Sequence, residues 1–121
     1  MDDRRERKYR RYSLVCPVYL EFQSGGSAAE VETVSENMSI CGLLVRSSSM
    51  IPHHTPVTFM IRIEGKETFH PIHLMGAGRI VRVESRGLGA GFATAIACET
   101  PIAQLEEHLP VGETGNFGNS C

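Results

Sequence analysis

The chain has 121 residues, of which 41% are hydrophobic and 21% are charged, and its formal net charge is −2. This is the size and composition of one soluble globular domain. No run of residues approaches the ~18 apolar residues of a membrane span. No apolar segment follows the charged N-terminus, so the sequence predicts neither a membrane segment nor a secretory signal.

The four cysteines, Cys16, Cys41, Cys98 and Cys121, include no CxxC pair, and three of them lie within apolar runs. This pattern favours reduced, buried thiols in a cytoplasmic protein, with a disulfide as the alternative. Cys121 ends a polar tail and is expected to be exposed.

Residues 1–11, with the sequence MDDRRERKYRR, are predicted to form a flexible basic arm. They hold six of the twelve Lys and Arg residues against three acidic residues, so the arm carries +3 and the rest of the chain carries −5. Arg7 and Arg11 are four apart and share a face in an extended or a helical backbone, whereas Arg10 points elsewhere in an extended arm. A basic arm on an acidic body indicates an anionic partner, and a solvated terminus is the alternative.

Residues 12–109 are predicted to form an all-β domain, a six-stranded antiparallel β-barrel with one C-terminal α-helix. In the fifth strand the apolar phase changes across Gly76 and Gly78, which predicts a bulge or bend there. The helix is predicted from Thr100, a suitable N-cap, to Pro110, and residues 110–121 are predicted to be disordered. Alternating apolar residues and turn signals place the six strands at residues 14–22, 29–35, 42–46, 57–63, 72–84 and 88–94.

A polar motif, N-x-S-x-x-G, lies between the second and third predicted strands and comprises Asn37, Ser39 and Gly42. Asn37 and Ser39 are two residues apart, so they project to the same side of an extended segment. Both side chains can donate and accept hydrogen bonds, and Gly42 can adopt φ > 0 or allow a close approach to the backbone. The simpler interpretation is an Asx-type turn that leads into a strand.

Together these motifs resemble the PilZ family. Arg7 and Arg11 match its R-x-x-x-R motif, and Asn37, Ser39 and Gly42 match its [D/N]-x-S-x-x-G motif. The segments RYSLVCPVYL (11–20), GRIVRVE (78–84) and GLGAGFA (87–93) are similar to the family's first strand and its closing pair of strands. The resemblance covers residues 4–109, and the tail after Leu109 matches nothing general to the family.

The resemblance implies a six-stranded barrel that binds the bacterial second messenger cyclic di-GMP. Arg7 and Arg11 would bind phosphates and guanine edges, Asn37 and Ser39 would bond a guanine and the sugar-phosphate ring, and Gly42 would give the ligand room. Arg10 matches no invariant family position, but an extra arginine there could stack on a base or neutralise charge. Independently, the ligand has two phosphates and two guanines, and arginine binds both groups bidentately.

The sequence does not favour a metal site, a glycine-rich nucleotide-binding loop or an enzyme active site. His53, His54, His70 and His73 lack a Cys or carboxylate at zinc spacing, so no metal site is predicted. The glycine-rich segments 76–78 and 87–91 are not followed by a helical pattern, which a nucleotide-binding loop requires. The sequence contains no G-x-S-x-G, HExxH or Walker motif, so we do not expect an enzyme.

The sequence therefore predicts a cyclic di-GMP receptor, with no other cofactor, whose arm changes conformation on binding and signals to a partner protein that controls motility, pili, exopolysaccharide or virulence. The alternative is a barrel that binds nucleic acid through the arm or acts as a ligand-independent adaptor. The body argues against nucleic acid, because it carries −5 with three Tyr and no Trp in the whole chain. The downstream partner, the oligomeric state and binding of one messenger molecule or a stacked pair are left open.

Overall fold

The computed structural model describes residues 11–64, 70–102 and 104–105. Its secondary structure consists of six antiparallel strands that close into a barrel in the order β1-β2-β3-β6-β5-β4. The predicted all-β barrel is therefore confirmed. The strands are β1 (Pro17–Ser24), β2 (Ser27–Ser39), β3 (Gly42–Ser47), β4 (Pro56–Ile63), β5 (Ile72–Ser85) and β6 (Phe92–Cys98).

The core fills the interior of the barrel. It consists of the apolar side chains that point inward from alternate positions of the strands. Alternation is clearest in β4, where Val57, Phe59, Ile61 and Ile63 are all buried. The loop between β3 and β4 also contributes, because Ile51 is fully buried although its neighbours Met50 and Pro52 are exposed. Burying a side chain of this size contributes about 1.5–3 kcal/mol to the free energy of folding. The burial of Ile51 therefore stabilises the packing of this loop against the barrel.

The last strand begins later than predicted. Residues 87–90 form a turn in which the Ala90 amide donates to the Gly87 carbonyl at 3.1 Å, and β6 runs over Phe92–Cys98. Gly87, Gly89 and Gly91 have φ of 105°, 75° and 79°, values that a strand does not adopt. Leu88, the first residue of the predicted strand, is fully exposed.

The bulge predicted at Gly76 and Gly78 is in fact at Val81. Gly76 and Gly78 pair in regular register with Phe59 and Val57 of β4, and the register with β6 shifts between Ile80 and Arg82. The two glycines are needed for packing. A Cβ at Gly76 would lie 2.6 Å from the ring of Phe59, and one at Gly78 would overlap the Ala97 carbonyl oxygen.

The predicted C-terminal helix is not shown. The described residues include no α-helix: Thr100 lies in a bend, and the Leu105 amide donates to the Ile102 carbonyl at 3.1 Å to form a single turn. Ile102 and Leu105 are buried in the core. Residues 103 and 106–110 lie outside the described part, as do residues 1–10 of the arm and the tail 110–121, so the predicted flexibility of the arm and disorder of the tail stay predictions.

The cysteines only partly follow the expectation from the sequence. Cys16 and Cys98 are free and buried, as predicted. Cys41 is disulfide-bonded, so the expectation of a reduced thiol is wrong at that position.

Among the residues described, none forms a helix long and apolar enough to span a membrane.

Candidate ligand-binding site

The motif residues lie at one end of the barrel, where β2 passes into β3. Asn37 and Ser39 are the third-last and last residues of β2, and Gly42 is the first residue of β3. Met38, between the two polar residues, is fully buried. Because side chains alternate along a strand, Asn37 and Ser39 face outward on the same side, as the sequence predicted.

A β-bulge in β2 determines that orientation. Thr33 and Ser35 are buried, so an unbroken alternation would also turn Asn37 and Ser39 inward. The register with β3 shifts between Ser35 and Asn37, which leaves Glu36 as the extra residue. The bulge changes the inward phase from odd to even positions and exposes the motif on the barrel surface.

The segment that leads to the arm pairs with the same part of β2. The Tyr12 amide donates to the Met38 carbonyl at 2.8 Å, and the Met38 amide donates to the Tyr12 carbonyl at 2.9 Å. In an antiparallel pair of this kind the flanking residues are also opposite each other. Arg11, which is exposed, is therefore placed across from Ser39, and Ser13 across from Asn37.

Buried hydroxyl groups hold this segment in place. Ser35 Oγ accepts a hydrogen bond from the Cys16 amide at 3.0 Å and donates to the Leu14 carbonyl at 2.5 Å. Thr33 Oγ1 donates to the Val18 carbonyl at 2.8 Å. Sequence reasoning missed this role, although two hydroxyl residues on the inward phase of a strand were a signal that partners would be needed.

The turn between β2 and β3 is closed by Ser39. Ser39 and Gly42 pair across the hairpin, and Ser39 Oγ accepts a hydrogen bond from the Cys41 amide at 3.2 Å. The Ser39 hydroxyl proton is still available to donate. Gly42 does not have positive φ, and a Cβ there would lie 3.1 Å from the Ile96 carbonyl oxygen of β6. The group that comes close to the Gly42 backbone is thus the carbonyl of the neighbouring strand β6.

The surface beside the motif carries an excess of cationic groups. Glu36 forms an ion pair with Arg46 Nε at 3.3 Å through one oxygen and with Arg86 Nη2 at 2.7 Å through the other. Two guanidinium groups share one carboxylate, and Arg11, opposite Ser39, adds a third positive charge to this end of the barrel. Together with the hydroxyl and amide groups of Ser39 and Asn37, this surface can bind an anion that also presents hydrogen-bonding edges.

Of the six predicted site residues, the structure brings Arg11, Asn37, Ser39 and Gly42 to one end of the barrel. Arg7 and Arg10 lie outside the described residues, so their place in the site stays a prediction.

The fold is similar to two solved structures. One is the Bacillus subtilis inhibitor of motility MotI/DgrA, with a TM-score of 0.66 at 17% identity over 84% of this chain. The other is the PilZ domain of CeSA from a cellulose-synthesizing bacterium, with a TM-score of 0.50 at 24% identity over 73% of this chain and 79% of that domain. The barrel therefore has a PilZ-like fold.

The likeness to the PilZ-like barrels is one of fold. The chain spans 46% of the length of the MotI/DgrA chain, so it corresponds to part of that protein. No family model matches the sequence, and no curated protein matches it.

Proposed function

We propose that this PilZ-like domain is a receptor for cyclic di-GMP that acts in the cytoplasm as a binding module, and that Arg7, Arg10 and Arg11 of the arm bind the ligand together with Asn37 and Ser39. The observation that carries the proposal is the backbone pairing of Tyr12 with Met38, because it sets Arg11 opposite Ser39. A ligand that rests on Asn37 and Ser39 would then lie within reach of the base of the arm.

The chemistry of the ligand fits this surface. Each phosphate can accept paired hydrogen bonds from a guanidinium group, and the O6 and N7 atoms of guanine accept the same arrangement. The Ser39 hydroxyl and the Asn37 amide can bond the remaining edges. The surplus of positive charge around Glu36 favours a dianion over a neutral nucleoside.

The signal would follow from ordering of the arm. A segment that folds over a ligand loses conformational entropy on binding, but its new position can create or hide a surface for a partner protein. Residues 1–11 carry half of the chain's basic residues. Closing them over a dianion would therefore change the charge that the domain presents to a partner.

Isothermal titration calorimetry with cyclic di-GMP, GTP and a short RNA tests the proposal. We expect saturable binding of cyclic di-GMP, with a stoichiometry that distinguishes one molecule from a stacked pair, and much weaker binding of GTP. Binding of the RNA alone, with a steep dependence on salt, would instead identify a nucleic-acid-binding barrel. Binding of none of the three would leave a ligand-independent adaptor.

A further inference from the structure

A second surface feature lies on the outer face of β1, β2, β4 and β5. It is a groove of about 480 Å³, which we call the acidic groove. The strand register assembles its apolar part: Tyr19 is opposite Glu32 on β2 and Met60 on β4, and Met60 is opposite Met75 on β5. The residues that define it are Tyr19, Glu21, Glu30, Glu32, Met60 and Met75.

The carboxylates of the groove are arranged unfavourably for the isolated domain. Glu21 and Glu30 are directly opposite each other on β1 and β2, and both are exposed. Like charges in this position repel and destabilise the pair of strands. Glu32 is two residues along β2 on the same side, which adds a third negative charge.

No described cation compensates these charges. The ion pairs among the described residues join arginines to Glu36, Glu64 and Glu84, and none reaches Glu21, Glu30 or Glu32. A cationic group bound between the three free carboxylates would remove the repulsion. The groove is thus complementary to positive charge.

The centre of the groove is apolar. Met75 is 74% exposed, although it is a large hydrophobic side chain, and Tyr19 and Met60 are half-buried beside it. Tyrosine and methionine are enriched in protein interfaces, and methionine adapts its shape to a partner. An apolar centre with charged residues along its rim is the usual composition of a protein-binding surface.

The closed barrel limits how a partner can bind here. Each strand is paired on both sides, so the groove offers no free edge to which a partner strand could be added. Contacts must therefore be made by side chains: an apolar side chain over Tyr19, Met60 and Met75, and cations at the carboxylates.

We propose that the acidic groove docks a segment of a partner protein that carries an apolar side chain flanked by lysine or arginine residues. This goes beyond the proposed receptor function and does not depend on it, since no residue of the groove belongs to the candidate ligand site. Asn37 lies five residues from Glu32 along β2, a separation of about 17 Å at ~3.3 Å per residue.

The probe is a capped synthetic peptide of Lys-Leu-Lys repeats, titrated against the full chain by fluorescence anisotropy. We expect measurable, salt-sensitive binding that is about tenfold weaker for the E21Q/E30Q double variant, because two exposed ion pairs are lost. A Lys-Gly-Lys peptide of the same charge should bind more weakly than the leucine peptide, because it lacks the side chain that covers Met75.

The matched control is the E64Q/E84Q double variant, which removes the same net charge from exposed sites outside the groove. Equal weakening in both double variants, or no binding of the peptide to the wild type, would overturn the proposal. Cyclic di-GMP titrations of E21Q/E30Q should match the wild type, so failure of the groove and failure of the receptor are distinguishable.

Two other occupants would also overturn it. If the groove binds a second copy of this chain, sedimentation will show a dimer that E21Q/E30Q abolishes. If it binds the chain's own arm, a carbodiimide will crosslink the N-terminal amine or Lys8 to one of the three glutamates within a monomer. We expect neither result.

Discussion

Tyr12 and Met38 are joined by two backbone hydrogen bonds of 2.8 and 2.9 Å, and Met38 is fully buried between Asn37 and Ser39. The base of the arm is therefore anchored to the strand that carries the polar motif. This pairing is the physical basis for treating two distant stretches of the sequence as one candidate site.

Replacement of Arg11 by alanine should weaken cyclic di-GMP binding about 10- to 150-fold, because charge-assisted hydrogen bonds contribute about 1.5–3 kcal/mol. Calorimetry measures the change. Arg62→Gln is the control, since Arg62 is on β4, which lies across the barrel from β3. Unchanged affinity in both Arg7→Ala and Arg11→Ala would show that the arm does not hold the ligand.

Replacement of Glu36 by glutamine should strengthen cyclic di-GMP binding about two- to threefold. The change removes a negative charge beside the site and frees Arg46 and Arg86 from their shared partner. At ~8 Å in water the repulsion between one unit charge and the nearer phosphate is about 0.5 kcal/mol, which corresponds to roughly a twofold change in affinity. The gain should disappear at high salt. Glu64→Gln makes the same change in net charge elsewhere, and an equal gain there would rule out a local effect.

Replacement of Ser35 by alanine should destabilise the barrel by about 1–3 kcal/mol, because the Cys16 amide and the Leu14 carbonyl lose their buried partner. Urea denaturation followed by circular dichroism measures the free energy of unfolding. Ser24→Ala, at the exposed end of β1, should change it by no more than ~0.5 kcal/mol. Similar stability in both variants would mean that the hydroxyl bonds of Ser35 contribute nothing.

Stability should also fall in alkaline solution because of Cys98. Burial raises the pKa of its thiol from 9.0 to about 12 in the folded protein. Between these values the unfolded chain loses the thiol proton while the folded chain keeps it, so the free energy of unfolding falls by up to ~1.4 kcal/mol per pH unit. The stability that the neutral thiol gives is complete below pH 9 and is lost as pH rises through 12.

Urea denaturation of the wild type and Cys98→Ala across this range measures the effect of Cys98, because the titration of other groups cancels in the difference. The variant should lose less stability with rising pH. Parallel curves would show that the thiol ionises equally in both states.

Much of the barrel follows from local patterns. The alternation of Val57, Phe59, Ile61 and Ile63 defines β4 well. The predicted start of this strand differs from the observed start by one residue, and the predicted end is correct. The final strand was misplaced because glycines at 87, 89 and 91 leave Leu88, Ala90 and Phe92 in apparent alternation. Positive φ at those glycines is a property of the turn, which hydrophobic periodicity does not report.

The site was predictable in part for similar reasons. The two-residue spacing of Asn37 and Ser39 correctly placed them on one side, but it did not specify whether that side faces in or out. That choice depends on the bulge at Glu36, and a polar residue between Ser35 and Asn37 gives no hydrophobic signal for it. The pairing of Tyr12 with Met38 joins residues far apart in sequence, beyond the reach of local patterns.

The extra residue at Glu36 also sets the rule for comparing this chain with other barrels at low identity. A strand in another barrel can lack that extra residue. If β2 is aligned to such a strand without a gap, core residues will be matched with surface residues on one side of position 36. The two parts of β2 therefore have to be aligned separately. The part from Met38 to the hairpin carries the polar motif, and the part before Glu36, which ends at Ser35, pairs with β1. A single misplaced gap would hide the polar motif among interior positions.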